Sequence, residues 1–114
     1  MSNKTISIAS DFTEIPGARY YSDGDFPGEE FRDKFLVPNF DKFDKLIINL
    51  DGTEGIATSF SEEAFGGLAR IYPENQVLEK LEFISDEEPD LIKEIKKYII
   101  EARTGKNNKT SEST

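Results

Sequence analysis

Apolar residues recur along this chain with two periods, one of strands and one of helices. Residues 5–9, Thr5-Ile6-Ser7-Ile8-Ala9, alternate and predict a first strand with Ile6 and Ile8 inward. Residues 11–17 read as a loop with a turn at Pro16-Gly17. Arg19-Tyr20-Tyr21 predicts a short second strand, ended by Ser22-Asp23-Gly24-Asp25. A helix entered at Pro27 follows, because first-turn N–H groups have no helical partner for a proline to remove. Phe31, Phe35 and Leu36 would face its core side, and Pro38 would end it at or before Val37.

Leu46-Ile47-Ile48-Asn49-Leu50-Asp51 is nearly continuous in apolar character, the pattern of a central strand buried on both faces. After Asp51-Gly52 and a loose turn, Ser59 stands three residues before Glu62, the spacing of a capping box that opens a helix. Phe60, Ala64, Leu68 and Tyr72 recur every four residues, with Phe65, Ala69 and Ile71 alongside, which leaves Glu62, Glu63 and Arg70 on a wet face. Gly66 and Gly67 cost that helix about 1 kcal/mol each relative to alanine, so either it ends there or something packs very close.

Pro73-Glu74-Asn75 breaks the chain, residues 77–81 can form one helical turn, and Leu81-Glu82-Phe83-Ile84 predicts a last strand. Over residues 87–103, Leu91, Ile95, Tyr98, Ile99 and Ala102 share one helical face. Residues 104–114 contain no apolar side chain and are expected to form a disordered polar tail on a single domain of residues 1–103. The order β-β-α-β-α-β-α describes an α/β fold, a small mixed sheet with about three helices packed against it.

Composition narrows the chemistry. The 114 residues suffice for one core, with nine phenylalanines supplying much of its bulk. Cysteine and histidine are both absent, which removes disulfides, the usual zinc sites, cysteine nucleophiles and histidine-based triads. Twenty-three acidic against fourteen basic residues give a net charge of −9, which repels nucleic acid and anionic membranes and suits a basic or neutral protein partner. No apolar run is long enough to span a bilayer, and Met1-Ser2-Asn3-Lys4 does not start a signal peptide, so a cytoplasmic location is expected.

Several blocks together resemble a known family: Phe31-Arg32 followed by Pro38, Ile47-Ile48-Asn49-Leu50-Asp51-Gly52, Thr58-Ser59-Phe60, and Glu63-Ala64-Phe65-Gly66-Gly67-Leu68. Pro16-Gly17, Arg19 and Gly28-Glu29-Glu30 add to the likeness, which runs from Ile6 to Tyr72. The pattern is similar to the bacterial STAS-like family of uncharacterised domains (DUF4325), related to STAS domains of anti-anti-sigma factors. The resemblance implies a serine at the start of the helix after the central strand, phosphorylated by a GHKL-type serine kinase. That position matches Ser59, although Thr58 stands where the anti-anti-sigma pattern has aspartate and Phe60-Ser61 where it commonly has Ser-Gly.

Ser59 therefore carries two readings, a phosphoacceptor and a plain helix cap, and Glu62 and Glu63 would oppose an added dianion. Gly66-Gly67 reads better as tight helix packing than as a partner contact. Asp23-Gly24-Asp25 and Asp86-Glu87-Glu88-Pro89-Asp90 lack the spacing of a calcium loop and read as solvated carboxylates. No Ser-x-x-Lys motif surrounds Ser59 or Ser61, and no glycine loop for phosphate follows a strand. The expectation is a non-enzymatic signalling module without a cofactor, whose contact edge is Thr58, Ser59, Ser61, Glu62 and Glu63. By resemblance its partner is a GHKL-type ATPase that itself binds ATP. The alternatives are a constitutive subunit docking through Phe60 and Phe65, and a small hydrolase with a deep polar pocket.

Overall fold

In a computed structural model, residues 2–103 are described. The expected polar tail at 104–114 lies outside them. Strand β1 (Asn3–Ser7) leads into a single π turn (Ile8–Phe12) and a long loop with a 3-10 turn at Tyr21–Asp23. Helix α1 covers residues 28–40, β2 is Lys45–Asn49, α2 covers residues 58–71, α3 is Glu74–Lys80, β3 is Leu81–Ile84 and α4 is Asp90–Glu101. The sheet has the order β1-β2-β3 with both pairs parallel, Ile6 beside Ile48 and Ile48 beside Phe83. The small α/β architecture and the central place of β2 agree with the sequence reading. The sheet is parallel rather than mixed, and among the described residues five helices, counting the π turn, stand where three were expected.

Among the described residues only one face of the sheet is covered. Ile6, Leu46, Ile48 and Leu81 are buried, whereas Thr5, Glu82 and Ile84 are exposed and Ile47 is half-buried. Strands that follow one another across a sheet with crossovers of one hand carry all their helices on the same side. The apolar run of β2 is thus half-covered, against the expectation of burial on both faces.

Arg19-Tyr20-Tyr21 forms no strand. The carbonyls of Ala18 and Arg19 accept hydrogen bonds from the N–H groups of Gly28 and Glu29, so this backbone pairs with the start of α1 and closes a loop. Pro38 does not end α1 either. A π turn (Arg32–Leu36) precedes it, Val37 N donates to Arg32 O, and the helix runs on through Val37–Phe40. The wider turn takes up the proline without the clash that a regular α turn would impose. Asn39 Nδ2 donates to Phe35 O at 2.7 Å.

The core is a chain of rings. Phe12, Phe31, Phe35, Phe60, Phe65 and Phe83 stack or meet edge to face. Leu91, Ile95 and Ile99 of α4 close the far side, and Arg103 pins the end of α4 to Ala69 O and Tyr72 O. Gly28 lies flat against α2, where a Cβ would fall inside the Phe60 carbonyl. Gly28→Ala should therefore destabilise the fold by about 1–3 kcal/mol, the cost of overpacking, in urea unfolding followed by circular dichroism. An unchanged midpoint would refute this close approach of α1 and α2.

Candidate functional site

Helix α2 begins at the carboxyl end of the central strand, where ligands gather in open parallel sheets. It starts at Thr58, two residues earlier than a Ser59 cap would place it. The cap position is Ala57, in extended conformation, with no side-chain cap hydrogen bond. The expected capping box is absent for a further reason: the Glu62 carboxylate is committed elsewhere. Thr58 is exposed and Ser59 half-buried within the first turn.

From Phe60 to Ala69 every residue of α2 is buried. The sheet, α1, α4 and the loop before α1 enclose it, so the wet face expected for Glu62 and Glu63 does not exist. Both glutamates are at least nine-tenths buried, at 9% and 8% exposure. They lie in a π turn (Glu62–Gly66), where each residue turns less about the axis than in an α turn, and the four-residue rhythm slips out of phase.

Three arginines neutralise the pair. Arg19 Nη1 lies 2.5 Å from Glu62 Oε1 and 3.5 Å from Glu63 Oε1. Arg70 Nη1 lies 3.0 Å from Glu62 Oε2, and Arg32 Nη1 lies 2.6 Å from Glu63 Oε2. Arg32 also donates to Glu63 O and pairs with Asp33. Arg32 sits in the π turn of α1, so the two π turns face each other through this contact.

The glycines make room for the charges. A Cβ on Gly67 would stand 2.6 Å from Arg32 Nη1, and one on Gly66 would press on Glu62 Oε2 at 3.0 Å and Tyr98 O at 3.4 Å. Tight packing is thus their role, against α1 and α4. Burial is the largest influence on the Glu62 carboxyl and pushes its pKa up, but hydrogen bonds and charge from Arg70 and Arg19 outweigh it and hold the group below its ordinary value.

Beside the cluster opens a groove of about 620 Å³ lined by Arg19, Tyr20, Thr58, Glu62, Arg70 and Tyr98. On the other flank of the same helix start, Ile15, Pro16, Ile56 and Ala57 line a shallower, more apolar depression. Of the expected contact edge, Thr58 and Ser59 remain accessible. Ser61, Glu62 and Glu63 are enclosed by packing and removed from it. Phe60 and Phe65 are fully buried and cannot dock a partner, because they form the ring core with Phe31. Ala64 is buried too, and Asp51 accepts from the N–H groups of Asp86 and Glu87, stapling the loop after β3. Sequence reading placed Arg19 and Arg32 in family blocks but gave neither an ionic role. The signal was there in two adjacent glutamates beside two glycines.

The fold and this site define a small α/β domain built around one buried helix that follows the central strand. The family model for the STAS-like domain of unknown function (DUF4325) matches residues 27–91, more than half of the chain, and the protein belongs to that family. No curated protein and no solved structure matches the chain. No helix among the described residues is long and apolar enough to cross a membrane.

Glu63→Ala would leave the buried Arg32 guanidinium with only the exposed Asp33 as an ionic partner, and should cost about 3 kcal/mol. Because the Glu62 pKa is lowered by folding, its contribution is present above the unfolded carboxylate value and is lost as pH falls through the native one. Glu62→Gln should accordingly lower stability at neutral pH and converge on the wild type in acid, measured by urea midpoints across pH; parallel curves would refute the charge pairing. Ser61 Oγ is buried without a hydrogen-bond partner among the described residues. Ser61→Ala should be neutral or stabilising by up to about 1 kcal/mol, since it removes an unsatisfied group, and a lower melting temperature would contradict this.

Proposed function

We propose that the chain is a non-enzymatic signalling or regulatory module that works by protein–protein contact at the start of α2, switched by phosphorylation of Ser59. The observation that carries this reading is the first turn of α2. It is accessible at Thr58 and Ser59, lacks a side-chain cap, and stands at the carboxyl end of the central strand. Free N–H groups and the helix dipole favour an anion there. Glu62 and Glu63, expected to oppose a phosphate, are matched by Arg19, Arg32 and Arg70, so that repulsion is largely cancelled.

A GHKL-type ATPase is the partner implied by the family resemblance, with ATP bound by that partner in the cytoplasm. A catalytic role is less well supported. The Glu62 carboxylate is held ionised by two guanidiniums rather than poised to exchange a proton near neutrality, and Ser61 is buried.

Ser59 is not the cap, so Ser59→Ala should change stability by less than about 0.5 kcal/mol. In affinity purification with mass spectrometry from source cells, Ser59→Ala should retain the partner and Ser59→Asp should lose it. If both variants retain the partner equally and the Ser59 peptide is unmodified, the switch is wrong and a constitutive contact remains.

A further inference from the structure

Residues 20–27 form a closed surface loop. Gly28 N donates to Ala18 O at 2.9 Å and Glu29 N to Arg19 O at 3.0 Å, which makes residues 18–19 and 28–29 a neck. Compact loops with joined ends are frequently functional. Arg19 ties this neck to Glu62 and Glu63 of α2, so the loop is held by the buried cluster.

The loop turns large rings to solvent. Tyr20 is 45%, Tyr21 49% and Phe26 45% exposed. Phe26 has φ 55, a left-handed conformation unusual for a bulky side chain, and one side of its ring meets Phe12 edge to face at 5.4 Å. The molecule thus keeps a strained backbone at a residue whose ring is only half used in its own core, a combination typical of recognition surfaces.

The charge that the loop itself carries is of one sign. Between Tyr20 and Phe31 the sequence carries Asp23, Asp25, Glu29 and Glu30 and no lysine or arginine. Asp23 accepts from Tyr20 N and Glu29 from Tyr21 N, which fixes carboxylates beside the rings, while Lys34 pairs with Glu30. Arg19 already lies 5.8 Å over the Tyr20 ring, an intramolecular instance of the contact such a surface makes.

We propose that loop 20–27 is a docking surface for an arginine-bearing basic segment of a protein partner. Guanidinium planes stack on tyrosine and phenylalanine faces and pair with carboxylates at the same time, which no other common side chain does as well. Nucleic acid, anionic membrane and a second copy of this acidic loop are each repelled by its charge. Tyr20 lines the groove that also holds Thr58, so the surface is continuous with the start of α2. The inference rests on the reading that a protein partner docks at this end, and it names the chemistry of that partner.

The test titrates the isotope-labelled full chain with a hexa-arginine peptide at physiological salt, followed by NMR. Shifts should concentrate in residues 20–30, and Tyr21→Ser or Phe26→Asn should weaken binding by about tenfold, the loss expected from one or two cation–π contacts. Neither variant alters net charge, and asparagine tolerates the left-handed conformation. Wild-type affinity in Tyr21→Ser, whose ring is exposed, would overturn the proposal even if Phe26→Asn failed to fold. So would shifts spread equally over the acidic residues 86–90. Failure here leaves the Ser59 reading intact, and unchanged partner binding in the Ser59 variants leaves a positive titration standing.

Discussion

Two adjacent glutamates inside a covered helix are the constraint on which this structure depends. Moving a carboxylate out of water costs several kcal/mol unless well-placed donors compensate it. Glu62 and Glu63 obtain those donors from three separate places, the loop before α1, α1 itself and the end of α2. The cluster thereby sets how α1 lies on α2 and where the loop is held. Gly67 is required because the Arg32 side chain passes over the α2 backbone at that point, and Gly66 because Glu62 and the Tyr98 carbonyl crowd it. The two π turns belong to the same arrangement, since they carry Arg32 and the glutamates toward one another.

This constraint also organises the surface. By enclosing α2 from Phe60 to Ala69, it confines that helix's accessible chemistry mainly to its first turn. By fixing Arg19, it holds an acidic, ring-bearing loop next to that turn. The molecule thus gathers an uncapped helix start, a charged groove and exposed aromatics at one end of the sheet. A module that works by contact with another protein has use for such an end, and a strong buried ionic anchor behind it keeps the contact surface in register.

Much of this was legible in one dimension. Strand β3 stands where its four residues predicted it, β2 is central, and Leu91, Ile95 and Ile99 line the buried face of α4 as their spacing required. Pro73 marked the break after α2, although α3 begins at Glu74 rather than at residue 77, and the paired glycines announced close packing. The misreadings share one cause. Tyr20-Tyr21 has strand propensity but no strand beside it, so the segment became a loop. Ser59 and Glu62 have the spacing of a capping box, yet Glu62 finds better partners in two guanidiniums. Pro38 should have stopped α1, and a π turn carried the helix past it.

The sequence by itself determined most of the strands and helices, the ring-rich core, the absence of histidine and cysteine chemistry and the family, because local propensity and side-chain periodicity are properties of short stretches of chain. Only the tertiary structure decided which residues face water. The three arginines lie 13 to 51 positions apart along the sequence and meet two glutamates only after α1, α2 and the loop have packed. Periodicity describes one helix against a single core, and α2 is covered on more than one side from Phe60 to Ala69, so Glu62 and Glu63 became part of the interior.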